Sequence, residues 1–161
     1  MYRNHTLKRF VVVAGSLGVI IGGATDVVEA APKPRVDISA TGSWSTFESW
    51  QVVLEGEAIG LPFDGTLTGT AHAQDGTLPT GGACESGSAS VRVADSAGNA
   101  LHLVSAGEVC QVVTPFGDEW VYGGTFDVTE TTSRRVKRSS GVLGIRLWAD
   151  GTLSVRASGT N

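Results

Sequence analysis

From Val36 to the end of the chain, apolar side chains recur at every second position and never gather at helical spacing. Val36, Ile38 and Ala40 alternate towards Trp44, and Trp50, Val52 and Leu54 form a second set. Phe63, Leu67, Ala71 and Ala73 share one face with Gly65 and Gly69, against Thr66, Thr68, Thr70 and His72 on the other. Val91 and Val93 flank Arg92, and Leu101 and Leu103 flank His102. Trp120, Tyr122, Phe126 and Val128 fall on one face, followed by Leu143, Ile145, Leu147 and then Leu153, Val155, Ala157. Side chains two apart on a strand point the same way, so this period marks strands with one buried face.

Turn signals break the runs: Asp64-Gly65, Asp75-Gly76, Ala97-Gly98-Asn99, Phe116-Gly117-Asp118 and Asp150-Gly151. The spacing predicts an all-β domain of about eight short strands, folded as a single antiparallel barrel or a sandwich. A barrel is preferred, because closure removes the exposed edges of a flat sheet. Two hairpins have a predictable register. A three-residue loop, Ala149-Asp150-Gly151 with Gly151 at positive φ, sets Leu147 opposite Leu153 and Ile145 opposite Val155. A turn centred on Ala97 sets Cys84 opposite Cys110, Val91 opposite Leu103 and Val93 opposite Leu101. In that register the cysteines lie on the polar face with Ser86, Ser88, Ser90, Arg92 and His102, unless a bulge at Gly107 reverses the parity. Two cysteines in an exported domain imply one structural disulfide, which would contribute about 3 kcal/mol in the chain-entropy account.

Export is expected from the first 30 residues. Arg3, Lys8 and Arg9 precede an uncharged run of 15 residues, Phe10–Ala24, and small residues at Val28 and Ala30 suit signal cleavage after Ala30. The run is shorter than the roughly 20 residues of a membrane-spanning helix and contains four glycines. The expected organisation is a signal peptide over 1–30, a flexible leader over 31–35 and one β-domain over 36–161, secreted or periplasmic, with no transmembrane span after cleavage. Residues 31–161 hold nine basic and fourteen acidic side chains, a formal charge of −5. That sign argues against a general nucleic-acid binder and favours solubility.

Candidate chemistry is sparse. His72 and His102 lack a second histidine at metal-ligand spacing, so neither a metal nor a cofactor is expected. No nucleophile elbow, phosphate-binding glycine loop or zinc-protease motif is present, and the acidic residues belong mostly to turns. The sharpest local feature is Arg134-Arg135-Val136-Lys137-Arg138, four cations in five positions. It reads as a solvated loop, as a contact for an anionic polymer or anionic lipid heads, or as a dibasic processing site whose cleavage would release the final strands. Among the tryptophans, Trp50 and Trp120 suit core packing, while Trp148 lies opposite Leu147 in facing and is a candidate contact residue.

The Gly123-Gly124-Thr125-Phe126 stretch and the pairs Gly65-Thr66, Gly69-Thr70, Gly76-Thr77 and Gly151-Thr152 resemble strands of allene oxide cyclase and dirigent-type barrels. The region as a whole resembles small exported bacterial β-proteins of unknown function. Phe126 stands where such barrels carry the last glycine of a Gly-Gly-Thr-Gly turn, so the resemblance implies a barrel shape and no catalytic residues. The leading expectation is an exported, non-enzymatic binding or interaction module. If it holds a small apolar ligand in its mouth, Phe63, Leu67, Trp120, Tyr122 and Phe126 would line the site, with Trp148 as a further contact. Two alternatives are a cyclase- or isomerase-like enzyme working in the barrel lumen, and a cell-surface or polyanion-associated protein using Arg134, Arg135, Lys137 and Arg138.

Overall fold

A computed structural model describes residues 35–47 and 51–161. The expected signal peptide, the first leader residues and Trp50 lie outside the described residues. The chain forms eight strands: β1 (Val36–Phe47), β2 (Gln51–Leu61), β3 (Gly65–Ala73), β4 (Cys84–Ala94), β5 (Ala100–Thr114), β6 (Gly117–Thr131), β7 (Ser140–Trp148) and β8 (Thr152–Thr160). Each strand pairs antiparallel with the next, and β1 pairs with β8, so the sheet closes into a barrel. The sandwich alternative is excluded. Just before β1, the Arg35 amide donates to the Gly159 carbonyl at 2.8 Å.

The period-two pattern converts directly into an inside and an outside. Ile38, Leu54, Leu67, Val91, Leu103, Phe126, Leu143, Ile145 and Leu153 are fully buried within the ring. Thr66, Thr68, Arg92, Glu55, Glu57 and Arg156 face solvent on the outer wall. This polarity is the reverse of a membrane-spanning barrel, whose outer band is apolar.

Eight strands leave an interior that side chains just fill. Curvature comes from paired glycines that face inward across neighbouring strands: Gly42 with Gly56, Gly107 with Gly124, and Gly141 with Gly159. At Gly124 the reason is visible. A Cβ there would press on the Tyr122 hydroxyl, the Ser105 hydroxyl and the Ala106 carbonyl, so only glycine admits the buried Ser105–Tyr122 hydrogen bond of 2.8 Å. Burial raises the Tyr122 pKa, and the bond to Ser105 opposes that shift.

Both predicted registers are present. Leu147 faces Leu153 and Ile145 faces Val155, with Gly151 at φ 86°. Cys84 faces Cys110 and the two form the disulfide. Gly107 makes no bulge: it pairs in register with Gly87 and Gly124. The cystine therefore staples the outer wall. The one register shift in the β5–β6 ladder is elsewhere, opposite His102 and Leu103, where Thr129 is skipped between Val128 and Glu130.

Candidate functional site

The ends of the ring differ more than its walls do. At one end, β5 and β6, the longest strands at 15 residues each, run on as a hairpin that turns at Pro115-Phe116. Phe116 is 100% exposed, Val113 65% and Val112 41%. The turn is closed by the Thr114 hydroxyl, which donates to the Gly117 carbonyl at 2.7 Å and accepts from the Phe116 amide at 3.2 Å. Gly117 sits at φ 127°, in the region open to glycine.

Below this head the hairpin is clamped on both sides. The Gln111 side chain accepts from the Gly82 amide at 3.0 Å and donates to the Asp118 carboxylate at 2.9 Å, while its own amide donates to the Ala83 carbonyl at 3.0 Å. The disulfide sits one residue before it, with Cα atoms 4.0 Å apart. On the other strand, the Trp120 indole N–H donates to the Pro79 carbonyl at 2.9 Å. Trp120 meets Trp44 edge-on at 5.8 Å, and the Trp44 indole N–H donates to the Trp148 carbonyl at 2.8 Å. The Ala149 amide closes the set on the Asp118 carbonyl at 3.2 Å. The loops 74–83 and 149–151 are thereby tied to the hairpin base.

Trp148, the expected contact residue, is half-buried on the shoulder of this hairpin, opposite Glu119. The Arg146 guanidinium lies 5.8 Å from its ring centre and pairs with Glu119 at 3.6 Å. Asp118 and Asp150 also lie at this end, Asp118 accepting from Gln111 and Asp150 from Thr152. Glu85, on the inner side of β4, has a buried carboxylate oxygen with no hydrogen-bond partner among the described residues.

The residues expected to line a lumen do not converge on one space: Phe63 follows β2 at one end of the ring, and Trp120 stands on β6 near the hairpin end, bonded to Pro79. Leu67, Tyr122 and Phe126 are core residues, and Phe63 and Trp120 pack against that core from its margins. The void beside Tyr122, lined also by Val52, Ala71, Val109 and Ile145, measures about 10 Å³, room for one water at most.

Both histidines stand on the outer wall. The Ser88 hydroxyl lies 2.9 Å from His72 Nε2. His102 is bracketed by two hydroxyls, Ser90 at 2.7 Å from Nε2 and Thr129 at 2.9 Å from Nδ1. A nucleophilic serine needs a histidine oriented by a further group, ordinarily a carboxylate on the second nitrogen; here that place is held by Thr129. No group of three or more potential metal ligands occurs among the described residues.

The expected basic loop is at the opposite end, between β6 and β7. Arg134, Arg135, Lys137 and Arg138 are all exposed, but Val136 is 1% exposed and packs into the core. The sequence reading missed Phe116, Gln111 and the buried role of Val136. Phe116 had a signal, an aromatic inside a turn motif, where burial is unavailable. Gln111 had none, because its partners are Gly82 and Asp118 on other segments.

No protein-family model, curated protein or solved structure matches the chain.

Proposed function

We propose that the protein is an exported interaction module whose contact element is the head of the β5–β6 hairpin. The observation that carries this reading is Phe116, wholly in water at the tip of a hairpin whose base is fixed by a disulfide, two indole hydrogen bonds and the Gln111 bridge. Scattered exposed apolar residues are ordinary. Three within five positions, on a projection that the fold rigidifies, are an anchor suited to a partner's pocket. Preorganisation lowers the entropic cost of docking. Trp148 extends the surface sideways.

The lumen readings draw less support. A small apolar ligand among Leu67, Tyr122 and Phe126 would have to displace packed side chains, and lumen chemistry would have to recruit His72 or His102 from the outer wall. Kinship with allene oxide cyclase or dirigent barrels enters this proposal only as a shared barrel shape.

The test is photo-crosslinking in the producing cell, with a benzophenone side chain at position 116 and, as control, at position 66. A discrete protein adduct at 116 and none at 66 is the expected result. Equal adducts at both positions, or none at 116, would overturn the reading.

A further inference from the structure

We infer that the β6–β7 loop, residues 132–139, binds a flexible polymer of repeating phosphodiesters. This lies beyond the hairpin reading, on the opposite end of the ring, and does not depend on it.

The loop is a built support. Two successive turns shape it: the Val136 amide donates to the Ser133 carbonyl at 3.3 Å, and the Ser139 amide to the Val136 carbonyl at 3.0 Å. Val136 and Ser139 are turned into the protein. Asn161 clamps the outside, donating from its side chain to the Arg135 carbonyl at 3.0 Å and accepting from the Ser139 hydroxyl. The fold uses the Val136 and Ser139 side chains and leaves Arg134, Arg135, Lys137 and Arg138 exposed. All four are cations, whereas the rest of residues 31–161 holds five basic and fourteen acidic side chains. The start of β1 lies beside the end of β8, so Arg35 joins the same end.

Among the described residues none of these four cations is in ion-pair contact with a carboxylate. Among the described residues the single ion pair is Arg146–Glu119, at the other end. Four like charges in five positions repel one another, and an external polyanion relieves that repulsion. Three of the four are arginines, whose planar forks match phosphate oxygens in pairs.

The kind of polyanion follows from what the loop lacks. Within the loop the apolar residue, Val136, is buried and offers nothing to a bilayer, and the exposed Leu61 at this end stands on β2 outside the loop. The aromatic residues at this end, Phe63 and Phe126, pack on or in the core, so no ring is offered for stacking nucleic-acid bases. A flexible phosphodiester chain needs neither. Each phosphate adds a weak contact, and linkage makes the contacts sum.

The experiment uses the full chain, purified from an oxidising secretion host, and a labelled poly(glycerol phosphate) oligomer read by fluorescence anisotropy at two salt concentrations. Binding that weakens steeply with salt is expected, with no competition from millimolar inorganic phosphate. R134S/R138S should bind at least tenfold more weakly, while R92S/R156S, with the same loss of charge elsewhere on the barrel, should stay within twofold of the parent. Equal losses in the two variants would reduce the effect to bulk charge and overturn the inference. So would binding to phosphatidylglycerol vesicles without binding to the oligomer. F116S should bind the oligomer as the parent does, so failure at one end is separable from failure at the other.

Discussion

The hairpin end and the loop end of this barrel solve the same problem in opposite ways. Each presents side chains to solvent from a hydrogen-bonded support. The hairpin end does so with cross-links between separate segments: a disulfide, two tryptophan hydrogen bonds and a glutamine that ties one loop to the facing strand. The loop end relies on one buried valine, two tight turns and the Asn161 side chain. The first device fixes an apolar head, which would otherwise collapse onto the nearest surface. The second fixes cations, which repel one another and stay extended unaided. The amount of scaffolding follows from the chemistry being displayed.

That contrast can be broken by experiment. The largest effect should come from Cys84→Ser with Cys110→Ser, a loss of about 3 kcal/mol in denaturant unfolding. Amide exchange should accelerate chiefly in 74–83 and 110–120; uniform acceleration at both ends would show that the cystine is not a local clamp. Val136→Ala should cost about 1.5 kcal/mol, by the burial of two lost carbons, and should speed exchange in 132–139 alone. A smaller effect concerns acid. Hydrogen bonds from Asn99 lower the Asp95 pKa, and bonds from Thr152 lower that of Asp150. Because both folded-state values are depressed, their contribution is complete above the unfolded value near 4 and is lost as pH falls through the folded value. Asp150→Asn should therefore give a shallower loss of stability on acidification, seen as a smaller drop in thermal midpoint between neutral and acid pH. Phe116→Ser should change stability by less than about 0.5 kcal/mol, while removing the proposed contact. A large destabilisation would mean that the tip belongs to the fold and not to a partner.

Much of the fold was legible in the residues. Period two decides which side chains point inward, and a turn fixes register once its centre is known, as at Ala97 and at Ala149–Gly151. Closure was inferable from the need to hide edges. The site was harder to read. Alternation places Leu67, Tyr122 and Phe126 inside but is silent on whether the inside is empty, since that depends on the summed volumes of eight strands. Val136 sits within a charged run that gives no local reason for burial; it is buried because the ring ends there and needs a cover. Gln111 and Trp120 act through carbonyls and amides far away in sequence, which no local pattern records.

The pairing of β1 with β8 also has a mechanical consequence. Tension between Arg35 and Asn161 would open their ladder like a zipper, one rung at a time from Val36 and Gly159. Tension between the basic loop and the hairpin head would instead run lengthwise along β6, whose extended covalent backbone joins the two directly. If the two ends hold different partners, the load crosses the barrel in its stiff direction.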